Sequence, residues 1–96
     1  MYVRLSLMRL GPGRREQSVR LSEHLRRVLA EQPGFKEIHF FVDVSAGEWG
    51  CLSYWETREQ AGEVRDALSR AMREALAGVD TLEREPNERI MELLEP

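Results

Sequence analysis

The stretch Leu52-Ser53-Tyr54-Trp55-Glu56-Thr57-Arg58-Glu59-Gln60-Ala61 constrains this chain most. It compresses the end of a strand, a helix cap and the first helical turn into ten residues. Thr57 is a natural N-cap, and Gln60, three positions on, completes a capping box in which each side chain bonds the other residue's backbone N–H. Two aromatic residues, Tyr54 and Trp55, stand directly before the cap. Any fold for this chain must therefore carry a strand that runs straight into a helix here.

The rest of the chain supplies the partners. Tyr2 to Leu10 alternates, with Val3, Leu5 and Leu7 on one side and Arg4, Ser6 and Met8 on the other, the period-two pattern of a strand. Gly11-Pro12-Gly13 breaks it. From about Arg14 to Gln32, Leu21, Leu25, Val28 and Leu29 recur at helical spacing with Ser18 and Ser22 beside them, predicting a surface helix with one buried stripe. Pro33-Gly34 ends that helix. Lys36 to Val44 reads as a second strand, with Ile38, Phe40 and Val42 opposite His39 and Phe41. A turn over Ser45 to Glu48 leads into a third strand, Trp49 to Glu56, the hairpin partner of the second. The second helix is expected from the Thr57 cap to about Ala77, and Gly78 takes the left-handed C-cap position. Asp80 to Glu88, polar and containing Pro86, reads as a loop. Arg89 to Leu94 fits a final strand or an extra helical turn.

The resulting order, β-α-β-β-α-β, predicts an α+β fold of ferredoxin-like type. It has an antiparallel four-stranded sheet with both helices on one face. With 96 residues the chain is expected to form a single domain over residues 1–96. The first two strands carry large apolar residues on both faces, although helices cover only one. A solvated sheet face should read polar, and a large exposed apolar face marks an interface. A homodimer packed sheet against sheet is therefore expected, with Val3, Leu5, Leu7, His39 and Tyr54 at the interface. In that orientation Arg4, Ser6 and Met8 face the helices. The opposite orientation would bring Val3, Leu5 and Leu7 to the helices and Arg4 to the interface or the sheet edge.

Charge and cysteine content remove several classes of function. A net charge of -3 argues against a nucleic-acid partner, which selects for basic excess. An RNA-binding ferredoxin-like domain would also need exposed aromatics on a basic sheet, and Glu48 and Glu56 oppose that. The one cysteine, Cys51, cannot close an internal disulfide and reads as a small buried apolar residue. With two histidines on different elements, no spacing resembles a metal site. No apolar run approaches the roughly 18–20 residues of a membrane span, so no membrane partner is expected and a cytoplasmic location is the default. Gly11-Pro12-Gly13-Arg14-Arg15-Glu16 matches a dinucleotide fingerprint at only two glycines and sits in the wrong order of elements.

Three motifs, in order and spanning nearly the whole chain, carry a family resemblance. They are Leu10-Gly11-Pro12-Gly13 at the strand-to-helix turn, Gln32-Pro33-Gly34-Phe35 before strand two, and Tyr54-Trp55-Glu56-Thr57-Arg58-Glu59 at the cap. Together they resemble the antibiotic-biosynthesis-monooxygenase-like proteins of the dimeric α+β barrel superfamily. The resemblance implies a ligand cavity between sheet and helices within each subunit. It also implies, for the quinone-forming members, oxidation of polycyclic phenols without metal, flavin or other cofactor. There the protein supplies orientation, polar contacts and a water-poor pocket. Members of unknown role in the same family make a non-catalytic dimeric binding or assembly module the alternative. The heme-degrading branch uses an Asn, a Trp and a His whose places here fall at about Ser6, Val64 and Glu74, which argues against heme degradation.

The candidate residues each have a competing structural role. Trp55, carried over by the resemblance, either lines a pocket for a flat aromatic ligand or packs between sheet and helix. Ser6 is a second candidate for substrate binding. Arg4, if it faces the helices, needs an acidic partner or a bound anion or phenolate. His24, flanking the stripe of the first helix, is placed either as a general base at a cavity edge or as an ordinary boundary residue. His39 is expected at the dimer interface, and Tyr54 points to the face opposite Trp55.

Overall fold

The computed structural model describes residues 1–83 and 85–95. Four strands, β1 (Tyr2–Arg9), β2 (Phe35–Asp43), β3 (Glu48–Trp55) and β4 (Asn87–Glu92), form one antiparallel sheet in the order β2-β3-β1-β4. Three helical segments, α1 (Arg15–Leu29), α2 (Arg58–Glu63) and α3 (Arg65–Ala75), complete the order. The ferredoxin-like β-α-β-β-α-β arrangement expected from the sequence is the one observed.

Element ends shift by one to three residues from expectation, and two differences bear on the site. The second helix is interrupted at Val64 (φ -69°, ψ -10°) and continues as α3. Gly62, a weak helix former, lies just before the break. Moreover, the Ala61 carbonyl accepts a 2.6 Å hydrogen bond from Arg4 Nη1, so a side chain of β1 engages a carbonyl that an unbroken helix would keep for itself. The last strand begins at Asn87 rather than Arg89 and ends at Glu92, which settles the alternative of a helical turn against it. Its polar start hid it: Glu88 faces the helix side as an ion-pair partner, where an apolar residue would have signalled a strand. The expected loop before it includes Arg84, which lies outside the described residues.

The register of β1 sorts the sheet into two faces. Arg4, Ser6 and Met8 stand opposite Ser53, Cys51 and Trp49 of β3, and all six are buried beneath the helices. Leu21, Leu25 and Leu29 of α1 and Leu68, Ala71 and Met72 of α3 close over that face and are essentially inaccessible to water. Each such large side chain contributes roughly 1.5–3 kcal/mol. The buried indoles are satisfied: Trp49 Nε1 donates to Ser22 Oγ at 3.0 Å and Trp55 Nε1 to Ser53 Oγ at 2.8 Å. Among the described residues no helix is long and apolar enough to cross a membrane.

The Thr57–Gln60 capping box forms as the sequence predicts, with both reciprocal bonds at 3.2 Å. It is also tied to the turn before β2. Gly34 adopts φ +81°, its carbonyl accepts from Glu56 N at 2.9 Å, and the Gln60 side chain lies where a Cβ at position 34 would project. Gly34→Ala should therefore meet both left-handed backbone strain and displacement of the cap. Urea unfolding should show a loss of about 2–3 kcal/mol, and a loss below about 0.5 kcal/mol would contradict this coupling.

Candidate functional site

A cavity of about 950 Å³ opens between α2, α3, the segment that follows them and β4. Its apolar wall is Leu68, Met72 and Leu76 of the α3 arm with Ile90 of β4. The periodicity of α3 that buries Leu68 and Met72 also places Arg65, Ser69 and Arg73 along the same wall. Arg4 and Glu88 enter from the sheet.

Arg4 is a firmly anchored polar group. Only 4% exposed, it donates from Nε to Glu88 Oε2 and from Nη1 to the Ala61 carbonyl, each at 2.6 Å, and Nη2 also contacts Glu88 Oε2. Ser6 Oγ donates to the same carboxylate oxygen at 3.1 Å. One oxygen of Glu88 thus gathers a guanidinium and a hydroxyl, in a site shielded enough for charge-assisted bonds to be strong. Cys51 sits beside this group, opposite Ser6. Burial pushes its thiol up to about 12, against the smaller opposing effect of the Ser6 hydrogen bond, so it stays protonated and is no nucleophile.

The residues expected from the sequence do not converge on one place. Arg4 lines the cavity, and Ser6 stands behind Glu88 without itself forming part of the wall. Trp55 is absent from the lining; fully buried, it meets Phe35 edge-on at 5.7 Å between sheet and helix. His24 does not reach the cavity either, and its Nε2 lies 3.3 Å from Glu74 Oε1 on the outer surface of the helix pair. His39 lies on the opposite sheet face, 2.9 Å from Glu37 and edge-on to Tyr54. Val3, Leu5 and Leu7 share that face. Glu88, Arg58, Arg65 and Arg73 were missed as site residues. Glu88 falls in a stretch whose sequence reads as loop, Arg58 opens α2 with no local mark of a site, and Arg65 and Arg73 differ from their many neighbours only by lying along the wall of α3 that carries Leu68 and Met72.

A second cavity, about 290 Å³, lies between α1 and the edge strand β2, with Phe40, Val42 and Trp49 in its wall. Among the described residues no cluster of three or more metal-ligating side chains occurs at either place.

No family model matches the sequence, and no curated protein does. The similarity appears in three dimensions. An antibiotic biosynthesis monooxygenase superimposes with a TM-score of 0.72 at 15% identity, over 99% of this chain and 100% of its own. The chain has the fold of the antibiotic biosynthesis monooxygenases. The ActVA-Orf6 monooxygenase of Streptomyces coelicolor, in complex with nanaomycin D, shares this fold at a TM-score of 0.70 and 20% identity, over 99% of this chain and 88% of that one. A MhuD variant with two manganese protoporphyrin IX molecules per active site does so at 0.71 and 15%, over 100% and 97%. At these identities the antibiotic-biosynthesis-monooxygenase likeness is one of architecture.

The buried thiol gives a pH dependence with a definite sign. Cys51 is neutral in the fold up to about 12, whereas an ordinary thiol ionises near 9.0. Its contribution to stability is complete below the lower value and is lost as pH rises from one to the other, by up to about 1.4 kcal/mol per pH unit. Urea midpoints across that window should fall more steeply for the wild type than for Cys51→Ala; parallel curves would refute the burial effect.

Proposed function

We propose that this chain, as one domain over residues 1–96, is a cofactor-independent monooxygenase-like protein. It binds and oxidises a small phenolic or quinone-type aromatic molecule in the 950 Å³ cavity. The observation that carries this reading is the combination of an apolar wall with one strongly anchored polar group, Arg4–Glu88, in a fold shared with a monooxygenase that holds nanaomycin D. An apolar wall beside placed polar groups suits a flat ring that carries polar substituents.

The residues present divide the work as follows. Leu68, Met72 and Ile90 hold the ring system and exclude water. Glu88 accepts a proton from the activated CH or phenol, and Arg4 stabilises the charge that develops. The carbanion gives an electron pair to dioxygen, forming a peroxide. That peroxide takes the proton back from Glu88, and loss of water leaves a new carbonyl. A heme does not suit these residues: no histidine is among the described lining residues, Glu74 pairs with His24 outside the cavity, and Val64 belongs to the core. The competing reading, a binding module without catalysis, draws on the fact that Arg4 and Glu88 already satisfy one another.

Oxygen uptake with anthrone separates the two. Catalysis requires protein-dependent uptake that falls at least about 100-fold in Glu88→Gln and is unchanged in His24→Ala. Protein-dependent uptake indifferent to Glu88→Gln would refute Glu88 as the base, and no protein-dependent uptake at all would leave the binding module as the reading.

The functional unit we propose is a homodimer formed through the sheet face that the helices leave open. Leu5, Leu7, Leu52 and Tyr54 are only half-buried there around the buried Val3, beside His39, with Phe41 44% and Met91 40% exposed on the same face. The free, buried Cys51 fits a cytoplasmic location. Light scattering should return twice the 11.2 kDa chain mass, and Leu5→Glu should shift the species toward the monomer; a wild-type monomer at micromolar concentration would exclude the dimer.

A further inference from the structure

The charges around the large cavity run against those of the whole chain. The protein carries a net charge of -3, yet among the described residues the cavity is lined by four arginines, Arg4, Arg58, Arg65 and Arg73, against two glutamates, Glu85 and Glu88. Arg4 and Glu88 neutralise each other. Among the described residues, no carboxylate lies within ion-pair distance of Arg58, Arg65 or Arg73, whereas Arg4, Arg9 and Lys36 each have one. Three cations therefore share this cavity with one further carboxylate.

Their placement is also specific. Arg65 and Arg73 are eight residues apart on α3, about 12 Å along the axis, and Leu68, Ser69 and Met72 fill the strip between them. The wall is thus apolar in the middle and cationic at both ends. Arg73 Nη1 donates to Ser69 Oγ at 3.1 Å, which holds its guanidinium along the wall. A neutral hydrocarbon ligand would gain nothing from such ends. A clustered set of like charges repels itself, and an anionic ligand relieves that repulsion.

We propose that the cavity selects an aromatic acid, a flat ring system bearing a carboxylate that the α3 arginines bind while the rings lie against Leu68 and Met72. This rests on the reading of the cavity as an aromatic site and adds the charge of its ligand. The carboxylate is bound at the cavity mouth by Arg65 or Arg73, away from the Arg4–Glu88 pair, so binding and proton transfer use different groups. Arginine meets a carboxylate through two parallel N–H···O bonds, which orients the ring as well as retaining it.

Two probes that share a ring system test this: 1-hydroxy-2-naphthoate and uncharged 1-naphthol, titrated calorimetrically into the full chain at neutral pH and low salt. The naphthoate should bind at least tenfold more tightly, with a preference that shrinks as salt is added. The double exchange Arg65→Gln with Arg73→Gln should weaken the naphthoate at least tenfold and naphthol far less, with an unchanged melting curve. Equal affinities in the wild type, or a preference that survives the double exchange, would overturn the acid proposal and leave the aromatic cavity standing. Failure of both probes to bind would remove the aromatic cavity, and the proposal with it.

Discussion

The Arg4–Glu88 pair is the interaction on which the rest of the structure leans. It joins β1 to β4 and, through the Ala61 carbonyl, joins both to α2. Each ion is costly to take out of water, and only tight geometry with further hydrogen bonds offsets that cost. Here the guanidinium reaches two acceptors and the carboxylate oxygen gathers Arg4 and Ser6. Removing one partner would strand a charge and cost on the order of 3–5 kcal/mol, whereas replacing both with apolar residues of similar size costs far less. A pair retained under those terms contributes position more than stability: it fixes β4 in register and brings a carboxylate to the cavity.

The same pair explains what sequence reasoning reached and where it stopped. The architecture was legible because its signals are local. Alternation in β1, the stripe Leu21-Leu25-Leu29 in α1 and the Thr57–Gln60 box each depend on near neighbours, and each is found where expected. β4 was misplaced by two residues because Glu88 derives its strand position from Arg4, 84 positions away, and no local pattern records that dependence. The break at Val64 has the same origin, since Arg4 engages the Ala61 carbonyl from another element.

For the site, the polarity of β1 was the useful clue. An arginine and a serine alternating with Val3, Leu5 and Leu7 left two orientations open, and the fold turns Arg4 and Ser6 beneath the helices, with Arg4 lining the cavity. The motif containing Trp55 pointed to the architecture and away from the chemistry: its indole is spent on Ser53 inside the core. The arginines of α3 could not be singled out in a chain whose 14 basic residues are all arginine except Lys36. Only the fold distinguishes those that share a wall with Met72.

The alternation of β1 has a consequence for how such a chain can change over time. Successive residues serve different faces, Arg4 and Ser6 the side beneath the helices, Val3, Leu5 and Leu7 the open side. Losing or gaining one residue within this strand would exchange the two sets at a stroke, sending the guanidinium out and a leucine in. Point substitutions can retune either face by degrees, but no such gradual route exists for length. β1 is free to drift in composition while its residue count stays locked.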